Sequence, residues 1–284
     1  MKVSFQGERG AFGELAAVEY FGKKVMPIPV PEFADVFKAV EKQKAAYGII
    51  PIENSLAGSI HQNYDLLLES NLFIVGEICL RISHYLIANP GASRRTIKRV
   101  FSHPQALAQC KRYLKRFPRL EITPVSNTAA GVKMIRDSNM RDAAAIASMQ
   151  AILDYNMKCL AKNIEDNPNN MTRFLVLARK NALKHRGGRP MKTSIVFSTK
   201  NIAGALFKSL SVFALRDVNL FKIESRPVHG KGFEYLFYLD LEGSAQDEAQ
   251  RNAIHHLQEI TSFYRMLGSY PVGRVAHPEY RKRR

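Results

Sequence analysis

Short apolar runs alternate with segments whose apolar residues recur every three or four positions. Val3-Ser4-Phe5 predicts an opening strand, and Gln6-Gly7-Glu8-Arg9-Gly10 a Gly-rich turn after it. Phe12, Leu15, Ala16 and Tyr20 keep helical spacing across residues 11–22, as do Phe33, Val36, Phe37 and Val40 across 33–43. Tyr47 to Ile52 is a short continuous apolar run, as expected of a buried strand. A helix over 60–68 and a long strand over 72–82 follow. Further strands are predicted at Val100-Phe101, Ile122 to Val125 and Ala143 to Ala147, separated by helices over 104–116, 128–137 and 148–154. Such alternation predicts an α/β domain with mostly parallel sheets, here over residues 1–180.

The pattern stops at 181–192, a polar, basic, Gly-bearing stretch read as a linker. A different order then begins. Thr193 to Ser198 predicts a strand and Ala203 to Ala214 a helix. Asn219 to Ser225 and Phe233 to Leu241 are strands, 245–260 a helix, and Ser262 to Gly268 a last strand. That βαββαβ order predicts a ferredoxin-like module over 193–274, with a basic tail at 275–284.

Composition narrows the function classes. A chain of 284 residues has room for two domains, each with its own core. No stretch approaches the ~18 apolar residues of a membrane span. Met1 to Phe5 reads as a first strand and not a secretory leader, so a cytoplasmic location is expected. Cys79, Cys110 and Cys159 stand far apart with no CxxC pair, which predicts free thiols and neither a disulfide framework nor a zinc site. The net charge of +17 gathers at Lys111–Arg119, Arg179–Lys192 and Arg281–Arg284. A basic surface can draw in small anions or bind nucleic acid. No nucleic-acid motif accompanies it, so a solvated basic face is expected.

Four segments have residue types suited to chemistry. Pro51 to Ile60 follows a predicted strand, where ligands sit in open α/β sheets. Asn54, Ser55 and Ser59 supply neutral donors there, and Gly58-Ser59 is read as a helix start offering amides to an anion. Asn54 and Ser55 suit equally a helix cap. Ser102-His103-Pro104-Gln105 opens the next such helix; Ser102 can donate to a carboxylate, and Gln105 and Gln109 share a face. His103, beside a proline, is expected to be structural. Thr128 in Asn127-Thr128-Ala129-Ala130-Gly131 repeats the device. Thr172-Arg173-Phe174 opens the last strand of the first domain, a hydroxyl, a guanidinium and an aromatic ring in succession. Alternation puts Thr172 and Phe174 on one face and Arg173 on the other. Either the backbone is irregular there or Arg173 supports the site from behind; an ordinary edge strand with an exposed arginine is the plain alternative. No Ser-His-Asp or Cys-His spacing, P-loop or HExxH occurs, so neither a cofactor nor a catalytic metal is expected.

Taken together, these motifs resemble the prephenate dehydratase family. The matching pieces are Gln6-Gly7-Glu8, Gly10-Ala11-Phe12, Pro51 to Ser55, Asp65-Leu66-Leu67, Ser102 to Gln105, and Asn170 with Thr172-Arg173-Phe174. Gly204-Ala205-Leu206 and Glu224-Ser225-Arg226-Pro227 are similar to the two phenylalanine-sensing motifs of the family's ACT domain. The resemblance spans residues 1 to 274 in order. It implies a two-lobed catalytic domain of periplasmic-binding type and conversion of prephenate to phenylpyruvate with loss of water and carbon dioxide. It implies Thr172 as catalytic residue, with Asn54, Ser55, Ser102, Gln109, Thr128, Arg173 and Phe174 binding substrate. It also implies feedback by L-phenylalanine and assembly as a dimer or tetramer. Phe207 stands where the glycine motif usually has valine, which bears on effector choice. No mutase domain precedes the first dehydratase strand here, so mutase activity is not expected. The alternatives are action on arogenate, an amine in place of the ketone, or a non-catalytic sensor on the same fold.

Overall fold

In the computed structural model, residues 1–22, 24–181, 189–228 and 234–277 are described. The chain divides into two compact units. One holds Met1–Leu66, Ile78–Phe174 and the segment from Arg274; the other holds Leu67–Glu77 and Leu175–Gly273.

In chain order the elements are β1 (Lys2–Gln6), α1 (Phe12–Phe21), β2 (Met26–Val30), α2 (Phe33–Glu41), β3 (Tyr47–Asn54), β4 (Gly58–Ser59), α3 (His61–Glu69) and β5 (Phe73–Arg81). Next come β6 (Tyr85–Ala88), β7 (Arg99–Ser102), α4 (Pro104–Gln109), α5 (Lys111–Leu114), β8 (Glu121–Pro124), α6 (Thr128–Asp137), β9 (Ala143–Ala147), α7 (Met149–Asp154), β10 (Lys158–Ala161) and β11 (Met171–Ala178). The remainder are β12 (Met191–Ser198), α8 (Ala205–Ala214), β13 (Leu220–Pro227), β14 (Tyr235–Glu242), α9 (Glu248–Ile260), β15 (Phe263–Pro271) and β16 (Val275–Ala276).

Two sheets carry the first unit's lobes. One has the order β16-β5-β11-β3-β1-β2, with β4 paired to β3. The other has the order β10-β6-β9-β7-β8. β1 runs parallel to β2 and β3, and β7 to β8 and β9, while β6 is antiparallel to β9 and β10. The chain leaves the first sheet after β5 and returns to it at β11, so both lobes share two crossings. Strand alternation in the second sheet sends Leu86, Val100 and Ile146 into one core and Ile87, Phe101 and Ala145 into another. Each fully buried Leu, Ile or Val contributes ~1.5–3 kcal/mol relative to exposure. Gly131 lets α6 lie close on β7: a Cβ there would stand 3.2 Å from the Phe101 carbonyl oxygen.

The second unit has the predicted βαββαβ order, as β12-α8-β13-β14-α9-β15. Its sheet is antiparallel in the order β13-β14-β12-β15, the ferredoxin-like arrangement. Both helices cover one face, over Ile195, Phe197, Leu239 and Leu241. Lys192 is buried and pairs with Glu77 at 2.7 Å; Glu77 also accepts the Gly273 N–H at 3.0 Å.

Some expectations are corrected. Five strands, β2, β4, β6, β10 and β16, were not predicted. Met26-Pro27-Ile28-Pro29-Val30 carries two prolines, tolerated because β2 is an edge strand. The helix predicted over 104–116 is broken at Cys110 into α4 and α5. Gly58-Ser59 is not a helix start but half of a hairpin with Glu53 and Asn54. β11 is an interior strand between β5 and β3 and not an edge. Val275 and Ala276, expected in the tail, pair parallel with Cys79 and Leu80 of β5. Linker residues 182–188, the predicted strand start at Phe233 and tail residues 278–284 lie outside the described residues. The three cysteines are free. Among the described residues no helix is long and apolar enough to cross a membrane.

Candidate active site

A cavity of about 390 Å³ opens in the first unit, lined from both lobes. Its walls come from strand ends and helix starts. Gln6 ends β1, Asn54 ends β3, and Ala11–Gly13, His103 to Ala106 and Ser126–Thr128 lead into α1, α4 and α6. Neither Arg nor Lys lines it among the described residues, and Glu32 at its rim is a carboxylate. The groups it offers an anion are the backbone N–H groups at the start of α6 and neutral side chains. The first turn of α6 is capped by Asn127, whose Oδ1 accepts the Ala130 N–H at 2.8 Å. α1 has no side-chain cap at Ala11, and the buried Glu14 carboxylate in its first turn accepts the Gly10 N–H at 2.6 Å.

Thr172 sits on the cavity wall at the end of a chain of amides. Backbone N–H groups of Leu56 and Ala57 donate to Asn54 Oδ1 at 3.1 and 3.0 Å. A backbone N–H can only donate, so the amide orientation of Asn54 is fixed. Asn54 Nδ2 then shares its two N–H groups among Asn170 Oδ1 at 2.7 Å, the Met171 carbonyl at 3.0 Å and Thr172 Oγ1 at 3.0 Å. The Thr172 hydroxyl thus accepts from Asn54, and its own O–H is left to donate. No acceptor for that O–H is found among the described residues. Asn170 Nδ2 in turn donates to Gln109 Oε1 at 2.9 Å, and Gln109 Nε2 lies 3.5 Å from Asn54 Oδ1.

Of the residues proposed from sequence, Asn54, Gln109, Thr128, Thr172 and Phe174 line the cavity together. Asn54 holds the turn after β3 through the Leu56 and Ala57 N–H groups instead of capping a helix, and its amide nitrogen reaches Thr172. Three do not line it. The Ser102 hydroxyl is fully buried and donates to the Ile146 carbonyl at 2.6 Å, bracing β7 against β9. The Ser55 hydroxyl accepts the Met171 N–H at 2.9 Å and faces the Asn169 carbonyl at 3.3 Å. Arg173 points to the far side of β11 and pairs with Glu53 at 2.9 Å. β11 is a regular strand from Met171 to Ala178, so Thr172 and Phe174 share a face without Arg173. In the second unit, Gly204 adopts a left-handed φ of 74° as N-cap of α8, which Ala205 and Leu206 begin. Glu224 to Pro227 lie on edge strand β13, where Glu224 faces Lys222 at 3.3 Å.

Sequence reasoning passed over His84, took Phe12 and Asn170 only as motif letters, and named Asn127 only as part of the Thr128 junction. His84 follows the end of β5, the kind of position the strand-end rule flags. Its Nε2 lies 2.9 Å from Gln109 Oε1, its backbone N–H donates to Glu165 at 2.9 Å, and Phe12 packs on it edge-on at 5.7 Å. Burial pushes the His84 pKa below its ordinary 6.5, against smaller upward pulls from Gln109 and Glu165. Burial also lowers that of His103, whose Nδ1 accepts the Gln105 N–H at 3.2 Å and caps α4. A histidine held neutral by the fold favours the unfolded chain once the free imidazole takes a proton. Stability is thus complete above the ordinary value of 6.5 and falls as pH drops through and below it. Urea midpoints should therefore fall between pH 7.5 and pH 5, and His84→Gln should fall less over the same interval.

Two α/β lobes around a hydroxyl-centred amide network, joined in one chain to a ferredoxin-like unit, define an enzyme domain with an accessory module. A family model described as prephenate dehydratase matches residues 3–182. The chain is 47% identical over 281 residues to arogenate dehydratase/prephenate dehydratase 2, chloroplastic, of Arabidopsis thaliana, covering 96% of this chain and 73% of that one. It is 32% identical to a prephenate dehydratase from Arthrobacter aurescens solved in complex with L-Phe, with a TM-score of 0.87 over 95% and 90% of the two chains. A structure described as GqqA, a novel type of quorum quenching acylases, matches with a TM-score of 0.88 and 30% identity over 96% and 98%. The chain belongs to the prephenate dehydratase family, and it is a carbon–oxygen lyase acting on a small-molecule substrate.

Proposed function

We propose that the protein converts prephenate to phenylpyruvate, releasing water and carbon dioxide, as a step toward L-phenylalanine. The supporting observation is the Thr172 hydroxyl, held by Asn54 at 3.0 Å with its O–H free to donate into the cavity. The cavity volume falls among small-molecule pockets of roughly 300–1,000 Å³. Thr172 hydrogen-bonds the ring hydroxyl and passes it a proton as the carbon–oxygen bond breaks. The carbon–carbon pair of the ring carboxylate moves into the ring, carbon dioxide leaves and the ring becomes aromatic. A solvent proton relayed through water replaces the one given up by the threonine oxygen, because an unaided threonine is a poor acid, so that the prephenate dianion and one proton give phenylpyruvate, carbon dioxide and water. The start of α6 and neutral side chains hold the carboxylates, Phe174 packs by the ring, and Arg173 braces β11 from behind through Glu53. Turnover of purified protein with prephenate, read as phenylpyruvate, tests the assignment.

Arogenate is the second reading. Glu32 at the cavity rim offers a carboxylate to an ammonium group, and the Arabidopsis relative is named for both activities. Side-by-side turnover of the two acids separates them.

L-Phenylalanine inhibition through the second unit, acting as an ACT domain, belongs to the same proposal, as do a monofunctional dehydratase, a dimer or tetramer, and a cytoplasmic location. The Arthrobacter aurescens structure in complex with L-Phe and the αL turn at Gly204 support the effector. Glu224→Ala and Ser225→Ala should raise the phenylalanine concentration for half-inhibition by about tenfold, the worth of one charge-assisted hydrogen bond. Their kcat without effector should stay near wild type. Superimposable inhibition curves for both variants would remove the regulatory role.

A further inference from the structure

The amide chain behind Thr172 ends on a histidine, and its polarity can be read from one end to the other. The Leu56 and Ala57 N–H groups orient Asn54, Asn54 Nδ2 orients Asn170 through Oδ1, and Asn170 Nδ2 orients Gln109 through Oε1. An amide oxygen only accepts, so the His84 nitrogen 2.9 Å from Gln109 Oε1 must carry a proton. His84 is thereby the Nε2–H tautomer. The residue is 2% exposed and its Nδ1 has no hydrogen-bond partner among the described residues. Only one ring nitrogen is therefore engaged, and it is the one that meets Gln109.

Two donors on Oε1 occupy both acceptor directions of Gln109. Its amide nitrogen is then turned toward Asn54 Oδ1 and the cavity. Without the His84 donor the Gln109 amide can turn over, which would set its N–H groups against the Asn170 Nδ2 donor. Asn54 stays held by the Leu56 and Ala57 N–H groups, but Asn170 would meet donor against donor and shift from Asn54 Nδ2, changing how the two Asn54 N–H groups are shared with Thr172 Oγ1. We infer that His84 is a positioning residue for the dehydratase reaction, latching the Gln109–Asn170 end of the amide chain so that Asn170 keeps its place between Gln109 and the Asn54 amide beside Thr172. It acts through Gln109 and does not itself meet the reacting atoms. The inference rests on the dehydratase reading of the cavity.

Two substitutions separate a latch from a packing role. In His84→Gln the side-chain nitrogen reaches the place of Nε2, so kcat should stay within about threefold of wild type. His84→Asn keeps an amide but falls short of Gln109; kcat should fall about 10- to 100-fold, the scale of a misplaced catalytic group, with KM changing less than about threefold. In the background Gln109→Leu the latch has nothing to hold, so adding His84→Asn should cost less than about a further twofold. Urea midpoints of all variants confirm that folded protein is compared. Equal kcat for the Gln and Asn variants, a loss in KM alone, or losses that multiply in the double variant would each overturn the positioning role. Failure of the wild-type protein to turn over either prephenate or arogenate would instead remove the dehydratase reading, and the inference with it.

Discussion

Thr172→Ala should lose about 10²–10³ in kcat, the usual cost of removing one donor aimed at developing charge. The loss should fall on kcat, because the hydroxyl meets an oxygen whose charge grows only as its bond to carbon breaks. Stability should change little. The side chain is small, and the Asn54 amide keeps Asn170 Oδ1 and the Met171 carbonyl as acceptors when Thr172 Oγ1 is gone. Thr172→Ser restores the O–H but loses the methyl that fixes its rotamer, and should retain part of the activity. Steady-state kinetics on the three proteins, with urea midpoints, measure this. An alanine variant of full activity would take Thr172 out of the chemistry.

Arg173→Met separates two roles for the guanidinium. If Arg173 braced substrate directly, its loss would raise KM by roughly 100-fold, as for a charge-assisted clamp. On the far side of β11 it pairs instead with Glu53, whose side chain is 30% exposed. Removing it takes a buried guanidinium away from a half-buried carboxylate. With partial solvent screening, that should cost about 2 kcal/mol of stability while KM moves less than about threefold. A 100-fold rise in KM at unchanged stability would return Arg173 to the cavity.

The fold was legible where pattern and burial coincide. Ala143 to Ala147 read as a strand because every position is apolar, and it is buried on both faces. The βαββαβ order of the second unit followed from spacing alone. What escaped was governed by context. β2 carries prolines that only an edge position accommodates, and edge position is set by the other strands. Gly58-Ser59 became a hairpin because β3 runs on through Pro51 to Asn54, past the point where the apolar run stops.

The site divides in the same way. Alternation along β11 separated Arg173 from Thr172 and Phe174 before any coordinates, and the regular strand keeps them apart. Ser102 shows the limit of residue type: its hydroxyl stands where a ligand donor was expected, yet the Ile146 carbonyl takes it. His84 shows the converse. No local motif marks it, because its significance lies in reaching Gln109, 25 positions further on in sequence.

The central claim is that the cavity dehydrates and decarboxylates a cyclohexadienyl acid with Thr172 as donor. The most direct measurement is phenylpyruvate absorbance after mixing purified protein with prephenate, run beside Thr172→Ala and beside arogenate with phenylalanine as its product. Product from at least one acid, cut about 10²–10³-fold in the variant, is the predicted result. No product from either acid, or equal rates for wild type and variant, would contradict it.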